Sequence, residues 1–378
     1  MRRLTPALAL LAAAPLALAG CTSTAATAGS DGPGPITVTA SDTTCAVSAS
    51  TAAAGTLTFT ISNTGTDTTE FYLYAAGDRV MGEVENIAPG IDRRLIVEVP
   101  DSGTYTTACK PGMVGDGIRA DFTITGDAQR QVDTDTRLAE ATAGYARYVH
   151  SQTDALVQKT TEFTDAVKAG DVAAAKALYP VARTYWERIE PVAESFGDLD
   201  PLTDGREDTL EPGQAFTGWH RLEKDLWTDG LQPDSAAVAD DLLTNVTEVV
   251  ARSTTVELTP VQLAHGAKGL MDEVATGKIT GEEDRYSHTD LWDFRANVDG
   301  SQAAIAALQP VLAERDPALQ AEITSRFADV DAALEVHRAG DGLVLYTALT
   351  PEDVRVLSEE VDALAAPLSR VTAVVAGP

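Results

Sequence analysis

The stretch LAEATAGYARYVHSQTDALVQKTTEFTDAVKAGD, residues 138–171, decides the class of the second half of this chain. Its apolar residues recur at every third or fourth position, which is the spacing of an amphipathic helix. Gly170 stops the pattern, and Asp171 can cap a second helix that begins at Val172. Similar patterns continue to the C-terminus, so the sequence predicts an all-α domain over residues 128–378.

The helices predicted after this stretch are of ordinary length and are separated by short polar segments. They cover residues 172–197, 215–227, 235–252, 259–276, 299–313, 317–338 and 350–375. Helices of this length with one apolar face pack as bundles.

Between residues 36 and 127 the pattern is different, since Thr and Val alternate over short runs. Ile36-Thr37-Val38-Thr39 and Arg94-Leu95-Ile96-Val97 are examples, and Pro89-Gly90 and Asp101-Ser102-Gly103 supply turns between the runs. A region of this size with such strands predicts a small β-sandwich. The chain is therefore expected to contain a β-sandwich followed by a helical domain.

The N-terminus carries an export signal. Arg2-Arg3 precede an apolar stretch from Leu4 to Ala19, and Leu18-Ala19-Gly20-Cys21 resembles the cleavage site of bacterial lipoproteins. We expect a signal peptide over residues 1–20, a lipidated tether over 21–35 and a lipid on Cys21. The protein is then exported and lipid-anchored, at the outer face of the cytoplasmic membrane or in the periplasm.

The charge balance points to a cation as the ligand. The chain has 57 acidic and 28 basic residues and a net charge of -29. Binding of phosphate groups requires positive charge, so a nucleic-acid partner is excluded. Most of this acidity serves solubility, and only carboxylates that converge in space can be metal ligands.

Two cysteines remain in the sandwich after Cys21 is assigned to the lipid. Cys45 and Cys109 can form a disulfide in an oxidising compartment, or they can bind metal as thiolates. Cys109-Lys110-Pro111-Gly112-Met113 resembles the copper loop of cupredoxins, but the two histidines of a blue-copper site are missing, because every histidine lies outside the sandwich. The five histidines are His150, His220, His265, His288 and His337.

The helical region contains the most specific local pattern, Gly218-Trp219-His220-Arg221-Leu222-Glu223. On a helix, the i, i+3 spacing puts His220 and Glu223 on one face, where one cation can contact both. An isolated pair of this kind is more often a surface ion pair. Acidic residues upstream, including Glu187, Glu190 and Asp204, could complete a site for iron or zinc.

A second dense segment runs from Gly281 to Phe294. It mixes acids, His288, Asp290 and two aromatic residues, Trp292 and Phe294. We expect the two aromatic residues to pack in the core, and we take His288 and Asp290 as functional candidates.

Several segments together closely resemble the EfeO family, the exported iron-binding components of bacterial Efe iron-uptake systems. They are Glu70-Phe71-Tyr72 and the segments 83–90, 188–194, 218–223 and 281–302. The resemblance implies a cupredoxin-like β-sandwich followed by an all-α, imelysin-like double four-helix bundle. It also implies that the protein captures iron, as Fe²⁺ or Fe³⁺, and passes it to a membrane iron permease, with a haem-peroxidase-like protein as a third component. The lipidation signal is a departure, since other members look freely periplasmic.

The resemblance also implies two sets of metal ligands. His220 and Glu223 fill the family's His-x-x-Glu motif, with Glu190, Glu187 and Asp204 available to complete the shell. Cys45, Glu70 and Cys109 occupy the proposed metal positions of the sandwich. Copper or zinc could compete with iron, because copper binds more strongly than iron to most nitrogen and oxygen sites.

The alternative is an enzyme, an imelysin-like metallopeptidase with a catalytic metal at the same motif. Zinc peptidases usually carry His-Glu-x-x-His, in which two histidines bind the metal and the glutamate activates water. Here Arg221 stands where that glutamate is expected, and no second histidine lies one turn away. We therefore expect a binding protein and no catalytic residue.

Overall fold

The computed structural model describes residues 34–197, 199–210 and 213–377. The predicted signal peptide, Cys21 and nearly all of the predicted tether lie outside the described residues. Within the described ranges, none of the helices combines the length and the apolar character that a membrane crossing requires.

The first part of the chain forms nine strands in two sheets. They are β1 Ile36–Ala40, β2 Cys45–Val47, β3 Thr51–Ala53, β4 Gly55–Asn63, β5 Thr69–Tyr74, β6 Val80–Ile87, β7 Asp92–Val99, β8 Gly103–Pro111 and β9 Ile118–Thr125. One sheet has the order β2-β1-β4-β7 and the other β3-β9-β8-β5-β6. The pairs β1/β4 and β3/β9 are parallel, and the other pairs are antiparallel.

Alternation along the strands builds the core of this sandwich. In β4, Leu57, Phe59 and Ile61 are buried between the sheets, and the threonines between them are more exposed. Phe59 contacts Phe71 and Phe122 from the other sheet, with ring centroids 5.3 and 5.6 Å apart. The predicted β-sandwich is confirmed, and the short alternating runs of Thr and Val are its strands.

The rest of the chain is helical. The main helices are α1 Gln131–Thr134, α2 Thr136–Lys168, α3 Val172–Glu187, α4 Leu199–Asp204, α5 Gly218–Lys224, α6 Ser235–Ser253, α7 Pro260–Thr276, α8 Asp290–Arg315, α9 Pro317–Glu335, α10 Pro351–Leu368 and α11 Val371–Ala376. A short two-stranded hairpin, β10 Arg338–Ala339 and β11 Gly342–Leu343, separates α9 from α10.

The long helices pack in two groups of four that share α8. In one group α2 packs on α3, α6 and α8, and in the other α7, α8, α9 and α10 follow one another in a closed ring. This arrangement agrees with the expected double four-helix bundle. Asp135 and Asp171 cap α2 and α3 by accepting hydrogen bonds from backbone amides, as the sequence predicts for Asp171.

Three differences between the predicted and the observed helices are the largest. The helix predicted over 172–197 stops at Glu187, and a 3₁₀ segment, Glu190–Phe196, replaces its last turns, since Pro191 cannot supply a backbone amide. Helix α8 begins at Asp290, nine residues before its predicted start at residue 299. The last predicted helix is divided into α10 and α11. The first difference matters most, because it places Glu187 and Glu190 on different elements.

Candidate metal centre

The position of His220 depends on the glycine that begins α5. Gly218 has φ +76°, and a Cβ atom at this position would lie 2.1 Å from the carbonyl oxygen of Thr203. Any other residue would push α4 and α5 apart. The close approach brings His220 next to Asp204, the last residue of α4.

His220 and Glu223 lie on one buried face of α5, as their spacing predicts. Their side chains are 2% and 0% exposed, and Nδ1 of His220 lies 3.2 Å from Oε2 of Glu223. Oδ1 of Asp284 lies 4.0 Å from the same nitrogen. Nδ1 and these two oxygens are therefore three donor atoms at a spacing that one metal ion could bridge.

Neutral donors orient the two carboxylates on this side. Oε1 of Glu223 accepts hydrogen bonds from the backbone amides of Tyr286 and Ser287, at 2.9 and 2.7 Å. Asp284 accepts from the hydroxyl of Tyr179 at 2.9 Å and from the hydroxyl of Thr289. These bonds leave Oε2 of Glu223 directed at the imidazole. Such second-sphere bonds hold metal ligands in place.

The other imidazole nitrogen faces a second pair of carboxylates. Nε2 of His220 lies 3.4 Å from Oδ1 of Asp204 and 3.6 Å from Oε1 of Glu283. These three atoms also lie within 4.8 Å of one another. In the described part of the chain, both clusters of histidine and carboxylate groups that could hold an ion contain His220 and no other histidine.

Arg183 is the cation at the centre of these acids, and its side chain is fully buried. It pairs with five carboxylates, from Glu187, Asp204, Glu283, Asp284 and Asp293. We call Arg183 and the residues grouped around it and His220 the acidic chamber. The chamber consists of Tyr179, Arg183, Asp204, His220, Glu223, Glu283, Asp284 and Asp293. Several buried carboxylates near one another are tolerated only with such compensation.

The charges of the chamber shift the pKa values of its members. Burial and Arg183 lower the pKa of His220, but its interactions with Asp204, Glu223 and Glu283 outweigh them and raise it well above the ordinary value. Burial, assisted by the charge of Glu223, raises the pKa of Asp284 to about 7. Burial opposes ionisation of Asp204 too, yet Arg183 and His220 keep its pKa below the usual range. Without a metal ion, His220 is therefore protonated near neutral pH.

Glu187 and Glu190, two of the predicted ligands, lie outside the clusters around His220. Nζ of Lys278 lies 2.9 Å from Glu187 and 2.8 Å from Glu190, and Asn297 also donates to both carboxylates. The Lys278 side chain is 2% exposed. The two acids therefore already pair with a cation of the protein, and the structure does not place them with His220, so their role as ligands stays a prediction. Asp204, by contrast, does lie at His220.

The predicted ligand set of the sandwich does not converge. Cys45 and Cys109 form a disulfide, as the first of the two alternatives has it, so neither sulfur is a thiolate that could bind a metal. Glu70 is buried. In the register of β5 and β8, Glu70 lies opposite Lys110, and its neighbour Phe71 lies opposite Cys109. Consecutive strand residues point to opposite faces, so Glu70 and Cys109 cannot share an ion. The structure therefore does not bring Cys45, Glu70 and Cys109 together as one set of ligands, and their metal role stays a prediction.

The segment 281–294 does contribute to the chamber, but through other residues than predicted. Glu283 and Asp284 supply carboxylates, whereas Asp290 accepts a hydrogen bond from the backbone amide of Asp284, at 3.0 Å. His288 has φ +61° and belongs to neither cluster. Phe294 is buried, as predicted, whereas Trp292 is only partly buried. The density of charged residues identified this segment as a functional candidate in the sequence. Which of its acids face His220 is determined by the fold.

Arg221 has no position in the chamber. It pairs with Asp225 at 3.2 Å and with Asp234 at 2.9 Å, on the other side of α5. The motif therefore presents one histidine and one glutamate to the chamber, and Arg221 holds α5 to the start of α6.

Comparison with known proteins agrees with this two-part architecture. The sequence model of imelysin matches residues 141–371, and that of the cupredoxin-like domain matches residues 9–124. The chain is 41% identical over 304 residues to the iron uptake system component EfeO of Escherichia coli O157:H7 and, equally, of Shigella flexneri. These alignments cover 79% of this chain and 80% of each relative.

A solved structure also resembles the chain. A Parabacteroides distasonis protein described as a precursor of iron-regulated protein A aligns with a TM-score of 0.46 and 14% identity. The alignment covers 63% of this chain and 95% of that protein.

Proposed function

Because the chain belongs to the EfeO family, with a cupredoxin-like domain followed by an imelysin domain, we propose that it is an exported metal-binding lipoprotein that captures iron. Its relatives are named as components of an iron uptake system. We propose further that it passes the iron to a membrane iron permease, with a haem-peroxidase-like protein as another component, and that a lipid on Cys21 anchors it outside the cytoplasmic membrane.

The observation that carries the proposal is the donor set around His220. One imidazole and carboxylates from three chain segments meet in a buried chamber, and the Nδ1 side combines His220, Glu223 and Asp284. Nitrogen and carboxylate donors suit iron, and also zinc and copper. Since copper binds such donors more strongly than Fe²⁺, iron selectivity would come from geometry and from supply.

The same donor set argues against the peptidase alternative. Peptidase zinc sites hold the metal with two histidines and present a glutamate as a base to the bound water. In this chamber His220 is the one histidine of both clusters among the described residues, and Glu223 is held by two backbone amides as a ligand would be. An assay for new amino termini released from unfolded protein would detect a peptidase.

The test is an iron titration of the mature full-length protein by calorimetry under anaerobic conditions. We expect His220→Ala combined with Glu223→Ala to abolish binding at the helical domain, because the double variant removes two of three donors on one ion. Far-ultraviolet circular dichroism should show that the variant is folded. His265→Ala is the matched control, since it removes an imidazole from α7 outside both clusters. Iron affinity and stoichiometry that stay unchanged in the double variant would refute the proposal.

A further inference from the structure

The two ring nitrogens of His220 face different pairs of carboxylates. Nδ1 faces Glu223 and Asp284, and Nε2 faces Asp204 and Glu283. The lone pairs of the two nitrogens diverge in the plane of the ring, so one ion cannot contact both. The chamber therefore contains two separate sets of three donors. We call them the inner set, on Nδ1, and the outer set, on Nε2.

Besides its acids, the outer set has a second feature of a ligand site, namely a buried nitrogen that lacks a well-aligned hydrogen bond. Among the described residues, Nε2 of His220 makes no hydrogen bond of good geometry, although it is buried and directed at Asp204 and Glu283. A buried polar atom that lacks a hydrogen bond of good geometry requires an explanation, and one such explanation is a position for a bound ion.

Imidazole chemistry limits the two sets to one ion at a time. A neutral imidazole has one acceptor nitrogen, while the other nitrogen carries a proton. An ion on Nδ1 therefore leaves a proton on Nε2, and an ion on Nε2 leaves a proton on Nδ1. Transfer between the sets exchanges the tautomer and needs no change in the total charge.

The two sets differ in the cations that compete for their oxygens. In the outer set, Oδ1 of Asp204 and Oε1 of Glu283 are the same atoms that pair with Arg183. In the inner set, Oδ1 of Asp284 lies 3.5 Å from Nε of Arg183 but accepts a closer bond from the hydroxyl of Tyr179, at 2.9 Å, and Oε2 of Glu223 faces His220. An ion in the outer set competes with the guanidinium at both of its carboxylates, whereas an ion in the inner set competes with it at one carboxylate and at a longer distance. The ion therefore binds more weakly in the outer set.

The two sets also differ in access. The side chains of Glu223 and Asp284 are completely buried, whereas that of Asp204 is 8% exposed. Beyond Glu283 lies Arg206, which bonds to it at 2.6 Å and lies 3.7 Å from Glu282. Their side chains are 22% and 40% exposed, so this side of the chamber leads to solvent.

We infer that the chamber holds two alternative positions for one divalent cation, and that the ion enters and leaves the tight inner position through the weaker outer position. The inference rests on the proposed function for the identity of the ion, which is iron. Asp204 and Glu283 then control the rates of exchange, and Glu223 and Asp284 control the affinity.

The test measures rates of exchange as well as affinity, with Fe²⁺ and the mature full-length protein under anaerobic conditions. Stopped-flow quenching of tryptophan fluorescence gives the association rate, since Trp219 is buried beside His220, and an added chelator gives the dissociation rate. The variants are Asp204→Asn and Glu283→Gln for the outer set and Glu223→Gln for the inner set. Asp225→Asn is the control, because it removes a buried carboxylate of the following turn that pairs with Arg221 outside the chamber.

We expect Asp204→Asn and Glu283→Gln to slow association and dissociation by about tenfold each and to change Kd by less than about threefold. Glu223→Gln should raise Kd by about 10 to 100-fold, mainly through faster dissociation. Asp225→Asn should keep both rates within about twofold.

Two results would overturn the inference. If the outer variants raise Kd as strongly as Glu223→Gln, all five donors form one composite site. If the outer variants exchange iron at the wild-type rates, the ion does not pass Asp204 and Glu283. Either result leaves the proposed function standing, which fails instead if the wild-type protein takes up no iron at His220. Outer variants in two separate segments ensure that misfolding of one does not decide the outcome.

Discussion

In the helical domain, His220 and Glu223 point into one chamber, whereas in the sandwich Glu70 and Cys109 point to opposite faces of one sheet. The helix brings residues three apart to one side, and the strand sends neighbouring residues to different sides. The bundle gathers its donors around a histidine, with Arg183 as their internal cation, while the sandwich joins its two sulfurs covalently. Groups of the right chemistry thus converge only where the backbone directs them to one point.

The contrast applies within the bundle as well. Glu187 is a fully buried acid like Glu223, and the side chain of Glu190 is 15% exposed; Nζ of Lys278 pairs with both carboxylates. The ammonium group holds the position between them that a bound ion would have. The chain therefore holds such groups in three ways: a disulfide joins the sulfurs of the sandwich, Lys278 pairs with Glu187 and Glu190, and the carboxylates around His220 surround an imidazole, with three of them paired to Arg183.

The largest effect is expected when the internal cation Lys278 is removed. Lys278→Met removes the cation that pairs with both carboxylates and leaves the buried Glu187 with Arg183 alone as its cation, so the free energy of unfolding should fall by about 3 to 5 kcal/mol. Urea denaturation followed by circular dichroism measures the change. This result would sharpen the contrast between the acids at Lys278 and those around His220, because it would show that Glu187 and Glu190 contribute to stability.

Lys159→Met is the control for this variant. Lys159 forms an exposed pair with Glu162 on α2, at 2.7 Å, and such pairs contribute about 0.5 kcal/mol or less. A Lys278→Met variant as stable as this control would show that Glu187 and Glu190 do not depend on Lys278.

The next largest effect is expected from removing the disulfide of the sandwich. The disulfide joins residues 64 positions apart, and replacing Cys45 and Cys109 by alanine should lower the free energy of unfolding of the sandwich by about 2 to 4 kcal/mol. Iron affinity at His220 should stay within about twofold of the wild-type value. Calorimetry in parallel with urea denaturation measures both.

The cysteine variant also tests the comparison between the sandwich and the bundle, because it can show whether the sandwich binds metal. If the wild-type protein binds two iron ions and the cysteine variant binds one, the sandwich cysteines are ligands after all. Thiol labelling of the unfolded, unreduced wild-type protein gives an independent check, since two free thiols would contradict the disulfide.

The smallest effect is expected for the pH dependence of iron affinity at the donor set around His220. The pKa of His220 is raised well above its ordinary value, so the imidazole is protonated below that pKa and an ion must displace the proton. Iron affinity should therefore fall by about tenfold for each unit of decreasing pH between 7.5 and 6.5, or about 1.4 kcal/mol per unit. Below pH 7 the decrease should steepen, because the pKa of Asp284 is raised to about 7 and its proton then competes too.

Calorimetry at three pH values and at low and high salt measures this dependence. A coordinated ion responds to pH and only slightly to salt, whereas ions attracted by net charge respond to salt. Affinity that does not change with pH and collapses at high salt would mean that the chamber does not coordinate iron.

Much of the fold could be predicted from periodicity, and less of the site. The spacing in residues 138–171 predicted α2 and the cap of α3, and the alternating runs predicted the sandwich, because these signals are local. His220 and Glu223 were found for the same reason, since one helical turn relates them. Glu283 and Asp284 were missed because they reach His220 from a segment about 60 residues later, and Lys278 could not be paired with Glu187 from the sequence.

The assembly of the chamber from distant segments has a consequence for folding. The donors around His220 come from α4, α5 and the segment before α8, so a chain with only its local helices formed presents no more than His220 and Glu223. Long-range contacts of this kind form late, since the loops that they close are costly in entropy. On the proposed function, tight iron binding would therefore require the completed fold. A bound ion would in turn stabilise the finished bundle against unfolding, by about 2.7 kcal/mol at a concentration 100 times Kd.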